Sequence, residues 1–326
     1  MRHYPKVTVL VPSYNHASFI RQRIESILNQ TYKNFRIVVI DDCSADNSDS
    51  IIRSLQMQHG FQYLRNAQNA GTPFATWEYI QRHDAGDYIW VSESDDFAEP
   101  DFLEVAVNAL EIDKSAVLFY CNSWIVDFAS NKVDHTDTYF KNYWKDPRWH
   151  SDFRATGPTE LCKFQLRGQT VPNMSSALIA TQAFRNAYTP LLKRFCLTGD
   201  WLFIGKVMKQ GNVLFSTRTL NNFRRHENTA RGQVNSARSQ AEFILTIYLL
   251  FREAKLPARE FVRFIAPPAA RFLRGPPERI DVLKRLLAIS WRHTLGCALL
   301  FLVSMPLNLA YFRLLADQRS KGKTLM

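Results

Sequence analysis

The sequence contains little that would suit an oxidising compartment. Its five cysteines are an odd number and none lies close to another in the chain, so the disulfide framework of a small secreted domain is not expected. The first apolar run, in "MRHYPKVTVLVPSYN", stops at Pro12 and is too short for the core of a signal peptide. We therefore expect reduced thiols and a cytoplasmic catalytic part.

Most of the chain also has almost no excess charge, although the formal net charge is +11. From Arg252 to the end, 14 Lys or Arg oppose 5 Asp or Glu, which leaves the preceding residues nearly neutral. The basic residues of this last segment are interleaved with apolar ones, unlike a stripe that follows a phosphate backbone. The sequence therefore favours a lipid-facing tail, and we expect no nucleic acid as a partner.

Strand-like and helix-like segments alternate through the first half of the chain. "VTVLVPSYN", "FRIVVIDDCSADNS", "FQYLRN" and "YIWVS" predict strands, and helical patterns follow them, including one across Thr72 to His83. Alternation of this kind predicts an α/β fold with right-handed βαβ units and a mostly parallel sheet. Residues 1–232 are expected to form this catalytic domain, with residues 127–153 as an insertion or flap, and residues 233–326 a helical, basic region.

Polar residues follow three of these strands, at Pro12 to Asn15, Asp41 to Ser44 and Glu93 to Asp96. Ligands of parallel sheets bind at the carboxyl ends of the strands, so the three groups are expected at one edge. Asp41 and Asp42 could simply form a turn, or one carboxylate could bind a base or ribose on which Tyr14 stacks. The third group could cap the next helix or hold a divalent cation with a diphosphate.

Two further residues have an ordinary and a functional interpretation. Asp200, in "LTGDWLF", could be a helix N-cap or a catalytic base. His226, in "FRRHENTA", could be a surface histidine or a metal ligand, and the neighbouring Arg225 suits phosphate charge. The order of these motifs along the chain is more informative than any one of them.

The segment "VTVLVPSYNHASFIRQRIESILNQTYKNFRIVVIDDCSADNS", followed by "DYIWVSESDD", "TGDWLF" and "FRRHENT", resembles the inverting family 2 glycosyltransferases of GT-A fold. The resemblance covers about residues 6 to 230. It implies a bacterial-type enzyme of polysaccharide or glycolipid biosynthesis in the cell envelope. The donor would be a UDP-, GDP- or dTDP-linked sugar, and the acceptor a glycan or lipid-linked saccharide.

The resemblance also implies roles for individual residues. Asp200 matches the catalytic base, and Asp96 and His226 match metal-binding positions for Mg²⁺ or Mn²⁺. Asp95 belongs to the acidic DxD-type motif and is assigned to the nucleotide. The remaining matches are nucleotide-binding Pro12, Tyr14 and Asp42, with Glu93, Asp41 and Arg225 as secondary candidates.

The sequence departs from the family pattern at two positions. The first acid of the DxD-type motif is Glu93, whose side chain is longer than that of Asp, and Gly199 precedes Asp200 where many relatives have an acid. A protein of the same fold that binds nucleotide sugars without catalysis, as a scaffold, is the alternative function. The intact set of Asp42, Asp96 and Asp200 favours an enzyme.

The segment from Thr294 to Phe312 has 19 residues without a charge, about the length of a spanning helix. Pro306 and Asn308 interrupt it and both flanks are basic, so we expect it to re-enter or lie on the inner face of the cytoplasmic membrane. A packed helix in a soluble oligomer is the alternative. Peripheral attachment to anionic lipid would suit a lipid-linked acceptor.

Overall fold

The computed structural model describes residues 4–226, 236–261, 264–265 and 278–304. The chain divides into two compact units, residues 1–233 and residues 234–326, and each is described by itself. All five cysteines are free thiols, as their spacing predicts.

The first unit is built on one ten-stranded sheet, and its first four strands are parallel. They are β1 (Val7–Ser13), β2 (Phe35–Asp41), β3 (Gln62–Arg65) and β4 (Tyr88–Val91), in the spatial order β3-β2-β1-β4. Every residue of β1 and β4 is buried, because helices cover both faces of a parallel sheet. The predicted α/β fold and these four strands are confirmed.

The rest of the sheet mixes strand directions. Its strands are β5 (Phe97–Ala98), β6 (Ala116–Val126), β7 (Lys132–His135), β8 (Phe153–Thr156), β9 (Ala177–Ala180) and β10 (Asn212–Arg224). From β4 the sheet continues as β9-β6-β10-β5, with β9 antiparallel to both of its neighbours and β10 parallel to β6. The long strand β10 therefore has the same direction as β1 and β4, and it ends at the same edge of the sheet.

The described residues of the first unit contain eight α-helices. They are α1 (Ile20–Leu28), α2 (Ser48–His59), α3 (Glu78–Arg82), α4 (Phe102–Ile112), α5 (Thr136–Tyr139), α6 (Gly157–Glu160), α7 (Thr181–Ala187) and α8 (Gly199–Met208). The predicted helix across residues 72–83 is shorter than expected, because Pro73 begins a separate turn that ends at Ala75. α2 ends at His59 and is capped by Gly60, which has a φ of 71°.

The segment expected to be a flap is anchored by its aromatic side chains. Phe140 and Trp149 are each 1% exposed and their rings stack at 4.8 Å between centroids. The indole of Trp149 also donates a hydrogen bond of 2.9 Å to the hydroxyl of Tyr120 on β6. These residues have no sequence period because they lie on short turns, yet they extend the core.

The second unit contains two long helices that pack against each other. They are α9 (Ser236–Ala254) and α10 (Glu278–Ser304), and α10 is interrupted at Ser290, whose backbone is not helical. None of the described helices combines the length and the apolar character needed to cross a bilayer. Part of the uncharged segment from Thr294 to Phe312 lies outside the described residues.

Candidate active site

A cavity of about 940 Å³ opens at the carboxyl ends of β1, β2 and β4. The three polar groups predicted to meet at this edge all contribute to its wall, together with the start of α8 and the end of β10. Eight of the ten predicted site residues line it: Pro12, Tyr14, Asp42, Glu93, Asp95, Asp200, Arg225 and His226. The other two, Asp41 and Asp96, are buried behind the wall.

One end of the cavity is formed by Tyr14 and Asp42. Tyr14 follows β1 and is 45% exposed, so its ring is open to a stacking partner. The carboxylate of Asp42 accepts hydrogen bonds from the side chain of Asn66 (2.6 Å) and from the backbone N–H of Ala70 (3.0 and 3.1 Å). Both contacts fix the carboxylate, and its remaining lone pairs can accept from a ligand.

Asp41 has a structural environment. Its fully buried carboxylate accepts hydrogen bonds from the backbone N–H and the hydroxyl of Ser44, and a nitrogen of Arg65 lies 3.2 Å away. These contacts close the turn after β2 and leave Asp41 outside the cavity wall. Of the two neighbouring acids, Asp42 is therefore the one that a ligand can reach.

Asp95 lies beside two histidines. Its carboxylate is 3.2 Å from Nε2 of His226, and one donor atom from each of His16, Asp95 and His226 lies within 4.8 Å of the others. The rings of the two histidines are 5.8 Å apart between centroids. A carboxylate and two imidazoles at this spacing are a donor set that a divalent cation can use.

The charges of this cluster are shifted by its surroundings. Burial lowers the pKa of His16 and outweighs the attraction of Asp95, which favours the neutral imidazole that can bind a metal. Burial opposes ionisation of Asp95, but the hydrogen bond from His226 is the main opposing cause and the pKa of Asp95 is lowered. Asp95 is therefore held as a carboxylate.

Asp96 points away from the cavity, although the sequence resemblance assigns it to the metal. It is 1% exposed and accepts hydrogen bonds from the backbone N–H of Arg224 (2.9 Å) and the side chain of Asn173 (2.8 Å). The guanidinium of Arg23, also fully buried, lies 4.0 Å away. Burial, followed by the charge of Asp95, raises the pKa of Asp96 to about 6. The geometry places Asp95 instead of Asp96 next to His226.

Asn173 links the acidic residues and was not predicted. Its amide nitrogen donates to both Asp96 and Glu93 (3.1 Å to Glu93). Glu93 is further fixed because its backbone N–H donates to the hydroxyl of Ser175. The longer side chain of Glu93 is thus held at the cavity wall by Asn173, a residue distant in the chain. No local sequence pattern predicts this contact.

The two arginines at the end of β10 differ in environment. Arg224 is fully buried, and its guanidinium donates to the backbone carbonyls of Asp95, Asp127 and Phe128. Arg225 is exposed and lines the cavity. Arg225 is therefore the more exposed of the two arginines at the cavity wall.

Asp200 lies in the first turn of α8 and lines the same cavity as Asp42. Its carboxylate accepts hydrogen bonds from the backbone N–H of Trp201 (2.7 Å) and from the side chain of Gln169 (3.2 Å). A Cβ on the preceding Gly199 would lie 2.5 Å from the ring of Phe74. This close packing explains why no acid precedes Asp200 here.

Comparison with known proteins supports the assignment of the fold and family. Residues 8–167 match the family model described as Glycosyl transferase family 2. "Glycosyltransferase GlyA" of Streptococcus pneumoniae serotype 4 is 38% identical over 100 residues, which is 30% of this chain and 14% of GlyA. The chain thus spans a small part of the length of that relative. Residues 8–167 of the chain therefore form a family 2 glycosyltransferase domain.

Solved structures share the architecture at low sequence identity. A crystal structure of S. aureus TarS 1-349 in complex with UDP-GlcNAc aligns with a TM-score of 0.66 at 17% identity, over 98% of this chain and 93% of that one. Mannosyltransferase PcManGT from Pyrobaculum calidifontis, in complex with GDP-Man and Mn²⁺, aligns with a TM-score of 0.53 at 17% identity, over 94% and 81%. The predicted GT-A fold is confirmed.

Proposed function

We propose that the protein transfers a sugar from a nucleoside diphosphate sugar to a hydroxyl group of a glycan or lipid-linked acceptor, with inversion at the anomeric carbon. The observation that carries the proposal is that Asp42, Asp95 and Asp200 line one cavity. They provide a site for the nucleotide, a carboxylate beside two imidazoles for a diphosphate-bound cation, and a base. The complexes of TarS with UDP-GlcNAc and of PcManGT with GDP-Man support this class of donor.

The residues near the nucleotide would act by binding and orientation. Tyr14 would stack on the base, and Asp42 would accept a hydrogen bond from the base or ribose, since Asn66 and Ala70 already hold its carboxylate in place. Asp95 and His226 fit a Mn²⁺ or Mg²⁺ ion, since one carboxylate oxygen and one imidazole nitrogen lie 3.2 Å apart. When bound, the ion supplies positive charge to the departing diphosphate.

Asp200 would remove the proton of the attacking hydroxyl. Trp201 and Gln169 fix its carboxylate at the wall of the cavity, which orients it toward the space where an acceptor would enter. The acceptor oxygen forms a bond to the anomeric carbon as the bond to the diphosphate oxygen breaks, and the proton moves to Asp200. A single displacement of this kind inverts the configuration.

The test is hydrolysis and transfer with UDP-GlcNAc, GDP-Man and a dTDP-linked hexose, followed by NMR of the anomeric proton. Asp200→Asn should keep donor binding and lose transfer by a factor of at least about 10², the lower end for loss of a general base. The control is Asp84→Asn, which changes an acid outside the cavity. Near-normal turnover by Asp200→Asn would remove this residue from the role, and donor binding without any turnover would favour the scaffold alternative.

We also propose that the second unit binds anionic membrane from the cytoplasmic side. On α10, five apolar residues spaced four apart are between 42% and 62% exposed: Leu283, Leu287, Trp291, Leu295 and Leu299. Lys284, Arg285 and Arg292 lie on the same helix. Apolar and basic side chains on one helix suit the boundary between acyl chains and anionic headgroups.

Flotation with vesicles containing phosphatidylglycerol tests this membrane proposal. The full chain should float with anionic vesicles at low salt and much less with phosphatidylcholine alone, and Trp291→Glu should reduce flotation. Met57→Glu is the matched control, because Met57 is an 82% exposed residue of the first unit. Equal loss in both variants, or no flotation of the unchanged protein, would refute the proposal.

A further inference from the structure

We infer that His16 is a third ligand of the cation site and that it biases the site toward Mn²⁺ over Mg²⁺. This inference rests on the proposed function, since it concerns the cation expected at Asp95 and His226. His16 lies directly after the "SYN" turn of β1, where sequence reasoning noted Pro12 and Tyr14 and assigned nothing to the histidine. The structure brings its ring to the same wall of the cavity.

The His16 ring is held in place by contacts that do not depend on a ligand. Nδ1 is 2.7 Å from the hydroxyl of Ser94, and the backbone N–H donates to the hydroxyl of Ser48 (3.2 Å). The ring of Phe19 packs against it at 5.9 Å between centroids. A hydrogen bond to the second ring nitrogen is the usual way in which a protein orients a metal-binding histidine.

The spacing of the donor atoms fits a shared cation. Two ligands about 2.1–2.2 Å from one ion and at right angles to each other are about 3.0 Å apart, while opposite ligands are about 4.3 Å apart. The observed 3.2 Å between Nε2 of His226 and the Asp95 carboxylate matches the first arrangement. One donor atom of His16 lies within 4.8 Å of those of Asp95 and His226, close to the separation of opposite ligands.

The chemistry of the donors determines which ion is favoured. Mg²⁺ prefers oxygen ligands and keeps several waters, whereas imidazole suits transition metals, whose affinity for nitrogen sites exceeds that of Mg²⁺. With Asp95 and His226 alone the protein offers one oxygen and one nitrogen. With His16 the protein offers two nitrogen ligands and one oxygen ligand, which raises the affinity for Mn²⁺ relative to that for Mg²⁺.

The test measures binding of Mn²⁺ alone and of Mg²⁺ alone to the full chain by calorimetry, and the free Mn²⁺ signal by electron paramagnetic resonance. His16→Asn should weaken Mn²⁺ binding at least about tenfold, the lower range for perturbed metal sites, and change Mg²⁺ binding by less than about threefold. His59→Asn is the matched control, since His59 is an exposed histidine at the end of α2. Circular dichroism checks that each variant is folded.

Pulsed electron paramagnetic resonance of the Mn²⁺-loaded protein adds a readout that needs no variant. The unchanged protein should show coupling to two imidazole nitrogens, and His16→Asn to one. Coupling to a single imidazole in the unchanged protein, or an unaltered Mn²⁺ to Mg²⁺ affinity ratio in His16→Asn, overturns the inference for His16. If Asp95→Asn also leaves Mn²⁺ binding unaltered, the cation site of the proposed function fails as well, so the two failures are distinct.

Discussion

The neighbouring carboxylates Asp95 and Asp96 should respond to the same substitution in opposite ways. Asp95→Asn is expected to lose the stabilisation by Mn²⁺ with little effect on folding, and Asp96→Asn to destabilise the fold while keeping the response to Mn²⁺. The reason is their placement, since Asp95 lines the cavity and Asp96 is 1% exposed behind it. Sequence resemblance predicts the reverse assignment for the metal.

The magnitude for Asp96→Asn follows from its contacts. An asparagine amide could still accept from the N–H of Arg224, but its nitrogen would face the nitrogen of Asn173, so one charge-assisted hydrogen bond is lost and one buried donor left unsatisfied. Together these cost about 3–5 kcal/mol, in the range for breaking a buried charged contact, and the nearby Arg23 loses its counter-charge at 4.0 Å. For a unit of this size the unfolding midpoint should fall by roughly 6–20 °C.

For Asp95→Asn the expected loss of stability is below about 1 kcal/mol, because its carboxylate makes a single side-chain contact with His226 and is partly exposed. The assay is thermal unfolding followed by circular dichroism, with and without Mn²⁺. If Asp96→Asn unfolds at the unchanged temperature and has lost the response to Mn²⁺, while Asp95→Asn retains it, Asp96 is the metal ligand and the geometric reasoning is wrong.

Three further substitutions test other parts of the first unit. Tyr14→Ala should weaken binding of the nucleotide by about tenfold, within the 1–3 kcal/mol typical of base stacking, when UDP and GDP are titrated by calorimetry, and unchanged affinity for both would contradict stacking. Gly199→Ala should destabilise the first unit by about 1–3 kcal/mol, because the new Cβ overlaps the ring of Phe74, and Phe74→Leu in the same chain should recover part of that loss. Trp149→Ala should cost about 3–5 kcal/mol in chemical denaturation, since a fully buried ring and its bond to Tyr120 are removed, and a loss below 1 kcal/mol would mean that the segment is a mobile flap.

Local patterns were sufficient to predict the strands that position the site. The apolar runs of β1, β2 and β4 are continuous and short, and polar turns end them, so both the parallel sheet and the edge at which Tyr14 and Asp42 meet follow from sequence. The direction of the antiparallel strand β9 and its place between β4 and β6 depend on pairing between distant residues. Such pairing has no local pattern.

The choice between Asp95 and Asp96 could not be made from sequence for a related reason. β4 ends at Val91, and the following residues form a turn in which the backbone N–H of Asp96 donates to the carbonyl of Glu93. The alternation of side chains along a strand no longer applies there. The direction of the Asp96 carboxylate is set by Arg224 and Asn173, which lie 128 and 77 residues from it in the chain.

The same contacts separate the acids of this turn into two environments, since Asp96 is buried and Asp95 and Glu93 line the cavity. Asp96 lies between Arg23 and the backbone of Arg224, and the guanidinium of Arg224 is occupied by backbone carbonyls, so neither buried arginine is directed at a ligand. A diphosphate entering the cavity would therefore meet the carboxylates of Asp95 and Glu93. Of the two arginines at the end of β10, Arg225 would be the one that contacts it. A carboxylate beside a diphosphate is repulsive unless a cation bridges them, which is why the proposed chemistry depends on metal at Asp95.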